Sequence, residues 1–213
     1  MNLSEKEISY TTTNSYATLN QLTERTKNIW FVCHGMGYLS RYFLRHFEHL
    51  NTEENYIVAP QAQSKYYIPP KLRHVGASWL TKENTLKETE NVMRYFDAVW
   101  EAEQFPADKR LIVLGYSQGV SVSMRYLSKR KLQCHELIIH SGGIPKELTP
   151  EDFNYMNPST KVSLLYGTED EYLTKERMET EINKANLLFP NTLKIISFEG
   201  KHVVNTKLIS DLI

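Results

Sequence analysis

Short apolar runs punctuate the chain, and most are separated by enough residues for a helix. The clearest span 29–33, 56–59, 111–114, 137–139, 162–166 and 193–198, and they are rich in β-branched and aromatic residues. Most show no alternation of polar and apolar positions. That pattern predicts strands covered on both faces, as in a mainly parallel sheet. Between the runs, apolar residues recur at helical spacing. Segment 39–50 places Leu39, Tyr42, Phe43, Phe47 and Leu50 on one face, and 85–105 does so with Leu86, Val92, Met93, Phe96, Val99 and Trp100. Segment 118–131 carries Val122, Met124, Tyr126 and Leu127, while 174–189 opens on Thr174 and closes before Pro190. A short apolar-striped helix is expected over 202–213. Alternation of this kind implies an α/β fold with helices on both faces of a mainly parallel sheet. The Thr-, Tyr- and Ser-rich segment 8–20 is expected to form an antiparallel edge hairpin. The longest stretch without a period, 60–81, contains Pro69-Pro70 and is expected to be an irregular functional loop. No repeat, low-complexity tract or linker divides residues 1–213, which are read as one domain.

Composition narrows the classes of partner. Lys plus Arg number 25 and Asp plus Glu number 25, so there is no surplus of positive charge with which to displace counterions from a nucleic acid. No stretch has the roughly 18 apolar residues that a membrane span requires. The polar start, Met1 to Glu7, does not read as a secretory signal. Two cysteines, Cys33 and Cys134, sit in or beside apolar runs, and buried reduced thiols fit a cytoplasmic location. No metal is expected, because no H-E-x-x-H, C-x-x-C or paired-histidine spacing occurs. No cofactor is expected either, since no phosphate-cradling glycine loop is present.

The strongest chemical signal is Gly115-Tyr116-Ser117-Gln118-Gly119, a G-x-S-x-G placed between an apolar run and a helical pattern. In such a strand–turn–helix, the flanking glycines allow the close approach that lets the serine hydroxyl project at a helix N-terminus. A serine nucleophile needs a base, and the base needs an orienting carboxylate. After Ser117 the histidines are His135, His140 and His202. The first two belong to an apolar run and read as structural. His202 follows the last run on a loop, through Glu199-Gly200-Lys201, and is the expected base. Glu169 and Asp170, both leaving the run 162–166, compete for the acid; the shorter aspartate is preferred. An oxyanion hole needs two backbone N–H groups. Gln118 supplies one, and Met36 in His34-Gly35-Met36-Gly37 is expected to supply the other, with His34 shaping that loop.

From residue 29 onward the chain resembles the phospholipase/carboxylesterase family of α/β hydrolases, the group that includes acyl-protein thioesterases. The resemblance rests on His34-Gly35-Met36-Gly37, Ala59-Pro60-Gln61, Gly76-Ala77-Ser78-Trp79, Gly115-Tyr116-Ser117-Gln118-Gly119, Ser141-Gly142-Gly143-Ile144-Pro145, Gly167-Thr168-Glu169-Asp170 and Gly200-Lys201-His202, all in the family's order. It implies an α/β-hydrolase fold, with Ser117, Asp170 and His202 as the triad and Met36 and Gln118 as oxyanion donors. Trp79 resembles the family residue that lines the acyl or alcohol pocket. The chain departs from the pattern at Tyr38, where the family often has Asp, and at Val120, where it commonly has a second glycine. It is also richer in Tyr and Lys around Lys65, Tyr66, Tyr67 and Lys71. Tyr38 and Tyr66 are therefore expected at the substrate pocket.

These features predict a serine carboxylesterase acting on a small-molecule ester or thioester, with short acyl esters favoured because the one long loop is polar. Two other readings are a thioesterase or lysophospholipase for long acyl chains and an inert relative used as a binding module. The sequence sets no oligomeric state, and a homodimer is compatible with it.

Overall fold

The computed structural model describes residues 3–212; Met1 and Asn2 of the polar start, and Ile213 of the expected last helix, lie outside the described residues. A seven-stranded sheet forms the centre, in the order β1-β3-β2-β6-β7-β8-β9. Its strands are β1 (Tyr16–Leu19), β2 (Asn28–Cys33), β3 (Asn55–Pro60), β6 (Arg110–Tyr116), β7 (Glu136–His140), β8 (Lys161–Gly167) and β9 (Leu193–Phe198). All neighbours run parallel except β1, which lies antiparallel to β3. The antiparallel edge expected from segment 8–20 thus exists as one strand paired to β3. It is not a hairpin, because residues 8–15 form no strand.

Burial explains the runs. β2, β3 and β7 are buried throughout, and successive side chains feed opposite cores. Ile29, Phe31 and Cys33 join one core with α2 (Thr85–Glu103), α3 (Gln118–Arg130) and α4 (Lys175–Leu188); Trp30 and Val32 join the other with α1 (Ser40–Phe43) and α5 (Thr206–Asp211). The helix expected over 39–50 is shorter. It turns after Phe43 into a 3-10 segment, Leu44–Phe47, in which side chains three apart eclipse. Leu44, Phe47 and Leu50 accordingly share the buried side. In α2 the buried stripe begins at Thr89, so Leu86 in the first turn is 90 % exposed rather than inward.

The segment 60–81 is not an irregular loop. It contains an antiparallel hairpin, β4 (Ser64–Tyr67) against β5 (Val75–Ser78). Every residue of β4 is exposed and most of β5 is small, so neither strand carries the half-buried alternation that betrays a strand in sequence. The hairpin is anchored at its base: the Gly37 N–H donates to the Ala77 carbonyl at 2.9 Å. A side chain at Gly76 would meet the Gly37 backbone within 2.5 Å.

Chain order reverses across the middle of the sheet. β2 leads to β3 on one side, and the path then crosses back to β6 on the other. β2 and β6 are direct neighbours, with Cys33 opposite Gly115. Loops leaving such a switch point diverge and open a crevice at the carboxyl ends of the strands. Among the described residues no helix is long and apolar enough to cross a membrane.

Candidate active site

Two loops leave that crevice side by side. β6 ends in the turn at Ser117, whose φ of 53° and ψ of −119° lie outside the ordinary wells for a residue with a side chain. Close packing maintains this conformation. The Ser117 N–H donates to the His140 carbonyl at 2.9 Å, and the Val120 N–H to the Ser117 carbonyl at 3.1 Å. A Cβ at Gly115 would sit 2.5 Å from the Val120 Cα, and one at Gly119 would run into the Cys33 carbonyl. The first turn of α3 is therefore pressed against the ends of β2 and β6, and Ser117 is left half-buried at the carboxyl end of β6.

The loop after β2 crosses directly over this turn. A Cβ on Gly35 would lie 3.0 Å from the Ser117 Cβ and from the Tyr116 ring, so a side chain there would press on the serine turn. Gly37 N–H and Tyr38 N–H are spent on the Ala77 and Gly35 carbonyls, whereas the Met36 and Gln118 amides have no acceptor among the described residues. His34 shapes the loop from beneath. Its Nδ1–H donates to the Gly35 carbonyl at 2.8 Å and its Nε2 accepts from the Ala62 N–H at 3.1 Å. Burial lowers its pKa to about 4, which keeps the ring neutral and able to accept.

His202 arrives on the loop after β9. Its Nε2 lies 2.9 Å from the Ser117 Oγ and its Nδ1 2.7 Å from the Asp170 Oδ2. The set is satisfied when Nδ1–H donates to the carboxylate and Nε2 accepts from the serine hydroxyl. The Asp170 carboxylate is wholly buried, and its other oxygen accepts from the Tyr172 and Leu173 N–H groups at 2.8 and 2.9 Å. Glu169, exposed on the same turn, makes no such contact. Residues 117, 170 and 202 thus form one hydrogen-bonded chain ending on the half-buried Ser117 hydroxyl. That is an arrangement able to deprotonate an attacking serine.

The remaining expected residues divide. Tyr66 lies beside the glycine loop, its hydroxyl 3.8 Å from where a Cβ on Gly37 would stand. Tyr38 is half-buried, its ring 5.6 Å from that of Phe43 and 6.1 Å from that of Tyr116. Trp79 lies in the core. It is 1 % exposed, with its indole N–H donating to the His34 carbonyl at 2.8 Å and its ring packed on Phe96. A large apolar ring with one N–H gains most by filling the core and giving that N–H a carbonyl. Trp79 therefore supports the loop instead of lining a pocket. His135 and His140 are structural: His135 Nδ1 accepts from the Leu111 N–H, and His140 Nε2 from the Asn205 N–H.

Two side chains escaped the sequence reading. The Gln118 carboxamide accepts from the Trp79 N–H at 2.7 Å and donates to the Leu80 carbonyl at 2.6 Å, fastening the end of the hairpin to the serine turn. The Tyr116 hydroxyl donates to the His202 carbonyl at 3.0 Å. Both contacts join residues about 40 or more positions apart, and no local pattern encodes them. Among the described residues, no grouping of three His, Cys, Asp or Glu side chains could hold a metal ion.

Comparison with known proteins places the fold. No curated protein matches the chain. Solved structures do. An acyl-protein thioesterase 2 from Zea mays superposes with a TM-score of 0.68 at 15 % identity, over 94 % of this chain and 96 % of that one. Esterase PE8 gives 0.67 at 20 % identity, over 95 % of this chain and all of that one (100 %). The Bacillus cereus carboxylesterase gives 0.62 at 12 % identity, over 93 % and 91 %. At such identities these likenesses show the α/β-hydrolase fold alone. The model of the phospholipase/carboxylesterase family matches residues 14–203, most of the chain, and the protein belongs to that family.

Proposed function

We propose that the protein is a serine hydrolase that cleaves carboxylic esters by two-step acyl transfer. The observation that carries this is the hydrogen-bonded chain from the Ser117 Oγ through His202 to Asp170. In the first step the Ser117 oxygen adds to the ester carbonyl as His202 Nε2 takes its proton. The tetrahedral oxyanion is received by the Met36 amide of the loop after β2 and the Gln118 amide at the N-terminus of α3. Collapse breaks the bond to the alcohol, which leaves with the proton from His202, and an acyl-serine remains. Water, deprotonated by the same imidazole, then adds to the acyl carbon, the bond to the Ser117 oxygen breaks as His202 returns that proton to it, and the acid is released. Asp170 holds the Nδ1–H tautomer and balances the charge that forms on the ring. Small, soluble acyl esters are the proposed substrates. A second reading, long acyl chains, is favoured by one observation: Met36, Tyr172 and Val203, next to or on the reacting loops, are all apolar and exposed.

The test has two stages. A fluorophosphonate probe should label the protein at Ser117, and S117A and H202A should neither label nor hydrolyse p-nitrophenyl acetate. Labelling elsewhere, or retained turnover in S117A, overturns the assignment. D170N should slow turnover by roughly a thousandfold or more, and E169Q should not. A panel of esters and thioesters of graded acyl length then separates the two substrate readings.

A further inference from the structure

Three consecutive residues hold His202, each by a different part of it. The Asp170 carboxylate takes Nδ1, the Glu171 carboxylate accepts from the His202 backbone N–H at 3.3 Å, and the Tyr172 ring stands against the imidazole. The two ring centroids are 4.9 Å apart, with planes at 71°. On another side the Tyr116 ring lies 5.3 Å from the imidazole at 35°. Tyr172 is 63 % exposed, yet it does not ride on a loose loop. Its N–H is held by Asp170, its carbonyl accepts from Arg177 Nη1 at 3.2 Å, and Leu173 beside it is buried.

We propose that Glu171 and Tyr172 are positioning residues that fix the imidazole of His202 for proton transfer, an inference that rests on the reading of His202 as the base. The reasoning is geometric. A single hydrogen bond at Nδ1 leaves the imidazole free to swing about the Nδ1–Oδ2 direction, and a small swing carries Nε2 off the line to Ser117. Proton transfer is steeply sensitive to such displacement. The Tyr172 ring obstructs the swing from the solvent side, where nothing buried could do so. Glu171 fixes the main chain from which the imidazole projects. Acid, main-chain anchor and ring stop are thus delivered by one tripeptide, Asp170-Glu171-Tyr172. Its order is fixed because the Asp170 Oδ1 also accepts from the Tyr172 N–H.

The test compares the full chain with Y172A, Y172F and E171A by two measurements. One is steady-state hydrolysis of p-nitrophenyl acetate. The other is the low-field proton resonance of the His202 Nδ1–H, which needs no turnover. Y172A and E171A should each lower kcat about tenfold with little change in KM, and the resonance should broaden or vanish in Y172A. Y172F keeps the ring, so it should stay within about twofold of the parent and retain the resonance. Tyr172 is exposed, so all variants should keep the parent's melting temperature within a few degrees. A Y172A protein with the parent's kcat and resonance overturns the proposal. So does a loss confined to KM, which would make Tyr172 a substrate contact, and so does a Y172F protein as impaired as Y172A. If the parent itself hydrolyses no ester, the proposed function fails, while the resonance still decides whether the ring holds the imidazole.

Discussion

The Tyr116 hydroxyl donates to the carbonyl of His202 at 3.0 Å, tying the residue before the nucleophile to the main chain of the base. Tyr116 is buried, and burial pushes its phenol pKa well above the ordinary value, so it remains a donor at any working pH. Y116F removes that donor and leaves a carbonyl unpaired, a loss of about 1–2 kcal/mol. The expected outcome is a several-fold fall in kcat with KM unchanged, together with a lower unfolding midpoint. Wild-type kinetics in Y116F would show that the His202 loop holds its place without it.

Gln118 is expected to matter through its side chain as well as its amide. In Q118A the Trp79 N–H loses its acceptor, and the Leu80 carbonyl keeps only the Ser78 hydroxyl at 3.1 Å. One unpaired buried N–H costs about 1–3 kcal/mol, so chemical denaturation should show a clear loss of stability. Because Trp79 also braces the His34 carbonyl, kcat should fall about tenfold as the Met36 amide drifts. Unaltered stability and rate together would exclude the fastening role.

Acid should destabilise the fold through two buried rings. His34 and His140 both accept a backbone N–H while neutral, and burial lowers their pKa values to about 4 and about 3. The unfolded chain therefore binds protons on these rings at a higher pH than the folded one does. Their contribution is full above about pH 6.5 and is lost as pH falls from there towards 4 and below. Melting temperature measured from pH 8 to pH 4 should decline over that window; a flat profile would contradict it.

Glu136 should behave in the opposite sense. It is 1 % exposed, neither carboxylate oxygen has a hydrogen-bond partner among the described residues, and its nearest ion-pair partner, Arg110 Nη2, is 3.7 Å away. Burial raises its pKa above the ordinary 4.5, although Lys161, Arg110 and Lys194 pull the other way. Between 4.5 and the raised value the folded state binds more protons, so this group's contribution to stability declines as pH rises through that window. E136Q removes a buried charge and should leave stability at pH 7 equal or higher by about 1 kcal/mol. A loss of 3 kcal/mol or more, the cost of breaking a buried pair, would mean that the carboxylate and Arg110 are bound more tightly than their separation implies.

Much of the fold was legible because most of the strands that form its centre are buried on both faces. Runs such as 29–33 and 111–114 therefore stand out as unbroken apolar stretches. The serine turn was legible for a steric reason, since packing of α3 on β2 leaves a conspicuous glycine on either side of Ser117. The β4–β5 hairpin was hidden because its exposed and small residues mimic a loop. Segment 39–50 misled in the opposite way, since a 3-10 turn and an α-helix share nearly the same apolar spacing. Resemblance makes Trp79 a lining residue of the acyl or alcohol pocket, whereas its burial and its indole N–H contact with His34 show a core position. The contacts of Glu171, Tyr172 and Tyr116 with His202 depend on how distant loops meet, which periodicity does not record.

The anchoring of the hairpin base on Gly37 divides the molecule's tasks between two strata. Below it, the serine turn and the glycine loop issue from adjacent strands at one height and are packed against each other. Above it, the stretch from Tyr67 to Val75 projects without buried support. An engineer seeking a new acyl or alcohol preference can thus redraw that projecting ribbon while the apparatus beneath keeps its register.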